Sequence, residues 1–335
     1  MNEIFSTLLQ WITRGLTFGS VIAYGALGET ITEKSGNMNL GTPGIMCIGG
    51  ACGFAATYLY ENNVSNPNAF LVLLIGLLSA FIASALAGAL FCLLTTTLRA
   101  NQNVTGLALT IFGTGLSKFL GAAVIPKGSI SVKATFANSV FAAKLPFAKS
   151  LGFVGNIFFN YGFMLYLSLV LIIIAHIFLT KSKAGLKLRA VGENPATADA
   201  TGINVIKSKY LATIIGAGIS GLGGLYYALD YSLGVWSSNA TISIEALGWL
   251  AVALVIFAVW RPLNIIWGSV IFGLSYWLYN YISVFGIITT SAQNALLEII
   301  PYVITIIVLI LSSIRKKRED QPPAKLGLPY FREER

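Results

Sequence analysis

Long uncharged apolar runs alternate with short polar stretches along the chain, for example YGFMLYLSLVLIIIAHIFL at 161–179 and YVITIIVLILSSI at 302–314. Such runs approach the ~20 apolar residues that a helix needs to cross a bilayer core. They fall near 15–28, 43–60, 69–98, 104–125, 161–180, 210–230, 244–260, 263–283 and 294–314. One all-round apolar helix can be the core of a large soluble protein, but eight or nine of them cannot in 335 residues. The pattern predicts an all-α fold, a polytopic membrane helical bundle of about 8–10 transmembrane helices. Glycine recurs inside the runs, as in GLALTIFGTGLSKFLG and GAGISGLGGLYYAL. Small residues on helix faces let backbones approach closely, which predicts tight packing.

Composition agrees, with 56% of residues hydrophobic and 10% charged. The net charge of +9 would suit a nucleic-acid partner if it covered a surface, but it is concentrated beside the apolar runs. Arg315, Lys316, Lys317 and Arg318 follow the last run, and six of the 22 basic residues fall in KSKAGLKLRAVGENPATADATGINVIKSK at 181–209. Basic clusters beside membrane helices mark the cytoplasmic side because they resist translocation. The chain therefore divides into a transmembrane domain at 1–314, with a cytoplasmic polar loop at 181–209, and a cytoplasmic basic tail at 315–335. Counting crossings back from an inside tail returns 181–209, Arg261 with Pro262, and Arg99 to the inside.

Two regions fit less simply. Residues 126–160 carry Lys127, Lys133, Lys144 and Lys149 yet count to the outside; a loop of that length obeys the charge rule only loosely. GETITEKSGNMNLGTPG at 28–44 is polar and glycine-rich. It reads either as a cytoplasmic loop, with the N-terminus outside, or as a re-entrant turn, with the N-terminus inside. The opening segment lacks the basic start and cleavage site of a signal peptide. Cys47, Cys52 and Cys92 lie in apolar surroundings without metal spacing and read as small core residues.

Motifs of soluble chemistry fail on context. GAGISG at 216–221 matches G-x-G-x-x-G, but it lies inside an apolar helix rather than after a strand, so it reads as helix packing. No G-x-x-x-x-G-K-[ST] phosphate loop is present, so any ATP is held by another chain. His176 is the only histidine and has no second ligand near it, and no metal or catalytic constellation appears. Asp230, Glu245 and Glu298 are acids near apolar runs, facing either the bundle interior or the outer interface. Within the polar loop, GENPATADATG reads as a complete small helix. Asn194 caps it, Pro195 takes the first position, Ala196 to Thr201 continue it and Gly202 ends it. It is far too short to cross a bilayer and is built for display on the surface.

GLKLRAVGENPATADATGI resembles the coupling loop of ABC importer permeases of the ribose/branched-chain amino acid class, where a similar string docks onto the ATPase subunit. GETITEKSGNMNLGTPGIMCIGG resembles that family's N-terminal motif, with Gly36, Asn39, Gly41, Gly44 and Met46 at matching positions and Pro43 as a departure. NQNVTGLALTIFGTGLSKFLG is similar to a segment of its nucleoside and simple-sugar branch, and EALGWLAVALVIFAVWRPLNIIWGSVIFG to its late core segment. Together these cover residues 28–273.

The resemblance implies the ABC importer permease fold and a transport subunit, not an enzyme, in a bacterial cytoplasmic membrane. It assigns ATPase coupling to Gly192, Glu193, Asn194, Pro195, Ala198, Asp199 and Gly202. Asn37, Asn39, Asn103 and Glu245 are candidates for the polar lining of a translocation path, since such groups can exchange hydrogen bonds with a ribose or base. Trp249 is a candidate stacking surface. The implied partners are an ABC ATPase, a second permease subunit that is identical or related, an extracytoplasmic solute-binding lipoprotein and a small-molecule substrate. No cofactor, metal or nucleic acid is expected on this chain. The rival from another class is an ion-coupled secondary transporter, which requires broken helices with acids near the midplane.

Overall fold

The computed structural model describes residues 2–146, 155, 157–237, 239–281, 290–315 and 321–331. Helix α1 (Asn2–Glu33) runs unbroken for 32 residues and is followed after a tight turn by α2 (Thr42–Asn63). Helix α3 (Ala69–Cys92), capped by the Asn68 side chain, ends in a π-helical turn at Leu93–Thr97. Asn101 caps α4 (Gln102–Val124). Strand β1 (Ser131–Lys133) and the short α5 (Thr135–Phe141) come next, then α6 (Phe163–Lys181). The polar loop folds as α7 (Lys183–Glu193) and α8 (Pro195–Ala200). Helix α9 (Val205–Tyr226) closes in a second π-helical turn at Tyr227–Tyr231 and leads to β2 (Val235–Ser237). The remainder is α10 (Ala240–Phe257), α11 (Pro262–Tyr281), α12 (Ser291–Glu298) and α13 (Ile300–Arg315).

Each apolar segment expected from the sequence coincides largely with helix, except that 294–314 is divided between α12 and α13 and residues 282–283 lie outside the described residues. Among the described residues six helices are long and apolar enough to cross a membrane: α2, α3 with its π-turn, α4, α6, α9 with its π-turn, and α10. Their outer faces suit lipid. On α3 the side chains of Phe70, Leu74, Leu78, Ile82, Leu86 and Leu90 form an exposed stripe at every fourth position. In water so long an apolar stripe would be an aggregation surface; in a bilayer it faces its own kind.

The loops sort to two ends. At one end, the turn at 34–41 meets Gly192, Thr97 Oγ1 lies 2.6 Å from Tyr210 Oη, and Trp260 Nε1 donates to Glu33. At the other, β1 pairs antiparallel with β2, Val132 opposite Trp236, and Ala137 N donates to Glu61 Oε2 at 2.8 Å. Of the 28–44 segment, residues 28–33 belong to α1 and 42–44 to α2; the compact turn is 34–41, on the same side as the polar loop, and α1 starts from the opposite end. Residues 126–146 fold over that opposite end as a strand and a short helix, which the lysines did not announce; Lys149 lies outside the described residues.

The bundle centre is α2 and α9, of which 72% and 78% of the spanning window is buried. Glycine makes this possible. A Cβ on Gly49 would run into the backbone of Gly221, and one on Gly28 into the carbonyl of Gly216. The GAGISG string is therefore a packing surface, set against α1, α2 and α3. Pro43 sits in the first turn of α2, where no helical N–H is lost, and Gly248 of α10 packs against it. Cys47 and Cys92 are buried and Cys52 is half-buried, all as free thiols. Gly49→Val should destabilise the bundle by about 1–3 kcal/mol or more, because a packed helix pair must separate. Gly115→Ala, where a Cβ meets nothing within 4 Å, should change stability by less than about 0.5 kcal/mol. Thermal unfolding of both variants in detergent measures the contrast.

Candidate functional site

Helix α8 forms as its sequence dictates. Asn194 Oδ1 accepts from Thr197 N at 3.1 Å, Pro195 begins the helix, and Gly202 leaves it with φ +82°. Gly202 N bonds to Asp199 O and Ile203 N to Ala198 O, the paired closure of a glycine-terminated helix. Pro195 and Ala198 are buried, Ala198 packing with Val191 and Val205, while Thr197, Ala200, Thr201 and Gly202 stay exposed. Asn204 then caps α9 directly, so α8 leads rigidly into the bundle centre.

Beside α8 lies the turn at 34–41, held by carboxylates. Glu29 accepts from Asn39 N at 3.0 Å and from Thr42 Oγ1 at 2.5 Å. It supplies the start of α2 with a partner that its capping residue, Gly41, cannot give. Asn39 Oδ1 accepts from Gly41 N at 3.0 Å, and Gly36 takes φ +87°, a left-handed conformation that glycine adopts without strain. One turn beyond Glu29, Glu33 accepts from Trp260 Nε1. Trp260 and Val259 both carry positive φ, 53° and 55°. A β-branched residue there is strained, and surrounding contacts must hold it.

Asn37 is buried and its amide reaches Thr213 Oγ1 at 3.1 Å and Thr96 Oγ1 at 3.4 Å. Met38 N donates to Gln102 Oε1 at 2.7 Å. Among the described residues, Asn37 Oδ1 and Gln102 Nε2 are buried without a hydrogen-bond partner.

The tail binds this site too. Lys325 N donates to Gly192 O at 3.1 Å and Gly327 N to Gly36 O at 3.2 Å, so one strand of tail joins the polar loop to the turn. Tyr330 Oη donates to Asp199 Oδ2 at 2.9 Å, and the Arg99 guanidinium lies 4.6 Å from the Phe331 ring.

A capped surface helix, a glycine turn at the mouth of the bundle and an apolar exterior thus lie on one helical frame. A family profile described as "Branched-chain amino acid transport system / permease component" matches residues 11–309. The chain belongs to this permease family. A putative glucose ABC transporter permease protein of Haloferax volcanii is 35% identical over 76% of this chain and 72% of its own. A guanosine ABC transporter permease protein of Bacillus subtilis is 28% identical over 99% of this chain and all of its own. A nucleoside ABC transporter permease protein of Lactococcus lactis is 28% identical over 92% and 94%. No solved structure matches.

The permease brings some of the expected path residues together and leaves others apart. Asn37 and Asn39 share the turn network. Asn103 is exposed on α4, while its neighbour Gln102 is the buried partner of the turn. Glu245 and Trp249 lie half-buried one turn apart on α10, in line with Thr241, whose hydroxyl meets Ser117 of α4 at 2.9 Å. Glu29, Glu33, Gln102, Thr213 and Trp260 were not singled out by sequence reasoning. The four-residue spacing of Glu29 and Glu33, which puts both on one helix face, was the available signal. Trp260→Phe keeps the ring and removes the donor to a buried carboxylate; it should cost about 1–3 kcal/mol. Comparing its unfolding midpoint with that of the parent chain checks this.

Proposed function

We propose that this permease is one transmembrane subunit of an ATP-driven importer of nucleosides, with simple sugars as the alternative substrate class. The observation that carries the reading is α8, a capped helix with an exposed polar edge that leads into α9 and follows α7, whose Gly192 meets the turn at the mouth. A separate ATPase subunit docks there, through the surface around Gly192–Gly202. The α8 end is then cytoplasmic, and so is the tail, in line with the basic cluster after α13. ATP is held and hydrolysed by that partner, and this chain holds no cofactor.

ATPase closure displaces α8. The displacement passes to α9 through Asn204 and to the 34–41 turn through Gly192, and the bundle halves tilt as rigid bodies. Substrate is delivered at the opposite end by a solute-binding lipoprotein. The second permease subunit is a related chain; two different nucleoside ABC permease proteins of Lactococcus lactis occur among the relatives, which favours a heterodimer. Nucleosides rank first because two relatives, one named for nucleosides and one for guanosine, each span more than nine-tenths of this chain. Uncharged amides and hydroxyls on α2, α4 and α10, with Trp249, suit a ribose and a base. An ion-coupled mechanism is disfavoured by the acids themselves, since Glu29 and Glu33 are committed to the turn and to Trp260 at one end of the bundle.

Replacing Asn194–Asp199 with a Gly/Ser segment should leave membrane insertion intact and abolish recovery of the ATPase with the purified chain. Undiminished co-purification would remove α8 from the docking role. Uptake of labelled guanosine, ribose and leucine in cells lacking the chain tests the substrate: guanosine uptake alone should fall, and loss confined to leucine would refute the nucleoside assignment.

A further inference from the structure

A cavity of about 740 Å³ opens where the ends of α6 and α11 meet the polar loop. That is the size of a ligand site rather than a packing fault. Its lining carries three cations from three separate elements: Lys34 after α1, Arg189 on α7 and Arg261 in the α10–α11 turn. Glu193 is the acid in the lining, and its carboxylate also accepts from Ala324 N at 3.4 Å. Burial, and then repulsion from Arg189 and Arg261, hold the Lys34 ammonium below its ordinary range, against the attraction of Glu193 and Glu33. Three cations from separate elements thus face one cavity together with a single lining carboxylate, Glu193.

The surroundings say what kind of anion. The mouth carries exposed Leu186 and Leu263, and above it run the lipid-facing side chains of α6, Ile177 and Phe178, and of α11, Trp267. Cations thus sit below and apolar surface above, at the level where membrane helices end. Basic pockets between such helix ends suit anionic headgroups.

We propose that this cavity binds the phosphate of an anionic phospholipid, with Lys34, Arg189 and Arg261 around the headgroup and the acyl chains lying along α6 and α11. The site does not require the nucleoside reading, only that the chain spans a membrane, so the two can fail separately.

The test is native mass spectrometry of the full-length chain, purified with its partner subunits and titrated with phosphatidylglycerol, phosphatidylcholine or glycerol 3-phosphate. Phosphatidylglycerol should bind at least about tenfold more tightly than phosphatidylcholine. Each cation near an anionic surface contributes enough for Arg261→Gln to weaken it about fivefold, and the Lys34→Gln, Arg189→Gln, Arg261→Gln triple variant on the order of 100-fold. The single variant lies in an exposed turn and keeps the test open if the triple variant fails to fold. Equal binding of the two lipids, or unchanged binding by the Arg261 variant, overturns the proposal. Displacement of the lipid by equimolar glycerol 3-phosphate overturns it as well, because the site would then read a free phosphate.

Discussion

Gly49 and Gly221 bring the backbones of α2 and α9 together with no side chain between them, and Gly28 and Gly216 do the same for α1 and α9. In a bilayer, where apolar side chains gain little by leaving lipid, such close approach is what holds helices together. It also removes slack. A helix seated backbone to backbone on its neighbours cannot shift side chains to absorb a push; it moves with them or separates from them. Because α9 begins at Val205, capped by Asn204 and only five positions beyond the last residue of α8, the most tightly packed part of the bundle is also the part nearest the polar loop.

The polar groups near the 34–41 turn follow from the same economy. A buried N–H without a partner is costly, and a turn packed inside the protein at the mouth of the bundle must satisfy its N–H groups internally. Glu29 does so for the Asn39 N–H and also takes the Thr42 hydroxyl, the Thr42 N–H turns back to Asn39 O, and Glu33 fixes the strained Val259–Trp260 turn from the side. What looks like a sequence motif is a set of hydrogen-bond obligations: two carboxylates one helical turn apart, a glycine with positive φ, and an asparagine that folds back on its own backbone. The two π-helical turns, at Leu93–Thr97 and Tyr227–Tyr231, end the helices that pack most closely with one another. Such turns disturb the regular ladder and are common at functional sites.

Helices and membrane character were legible because hydrophobic runs of spanning length have no other common use. The α8 helix was legible residue by residue, since its cap, first-position proline and terminal glycine are all local signals. Three features were not. Helix α7 precedes it on a sequence of mixed charge, and its stability comes from packing Leu188 and Val191 inward, which only the tertiary fold reveals. The β1–β2 pair joins residues about a hundred positions apart, so neither strand is visible in its own neighbourhood. The fold of the tail onto the polar loop is likewise long-range, with Tyr330 reaching Asp199 across 131 residues. Composition described the tail as a basic extension and said nothing of the contacts of 324–331. At the site, Asn37 and Asn39 were readable as polar residues in an apolar setting. Choosing Asn103 rather than its neighbour Gln102 turned on helix phase, which one position decides.

In an importer of the kind proposed, nucleotide energy can bias the bundle only through contacts that differ between two states. The 34–41 turn offers a physical source for that difference. It is linked to the coupling loop twice, by the close seating of Gly192 on Lys34 and by the tail strand that bonds Gly192 on one side and Gly36 on the other. A displacement of α8 therefore reaches the turn directly. There it meets Asn37 Oδ1 and Gln102 Nε2, buried polar atoms without a partner among the described residues. Each such atom carries a penalty of about 1–3 kcal/mol, and the coupling free energies that link distant sites are also about 1–3 kcal/mol. A second state that satisfied even one of them would differ from this one by as much as coupling needs. The glycine-packed helices around the turn, seated backbone to backbone, respond as whole bodies.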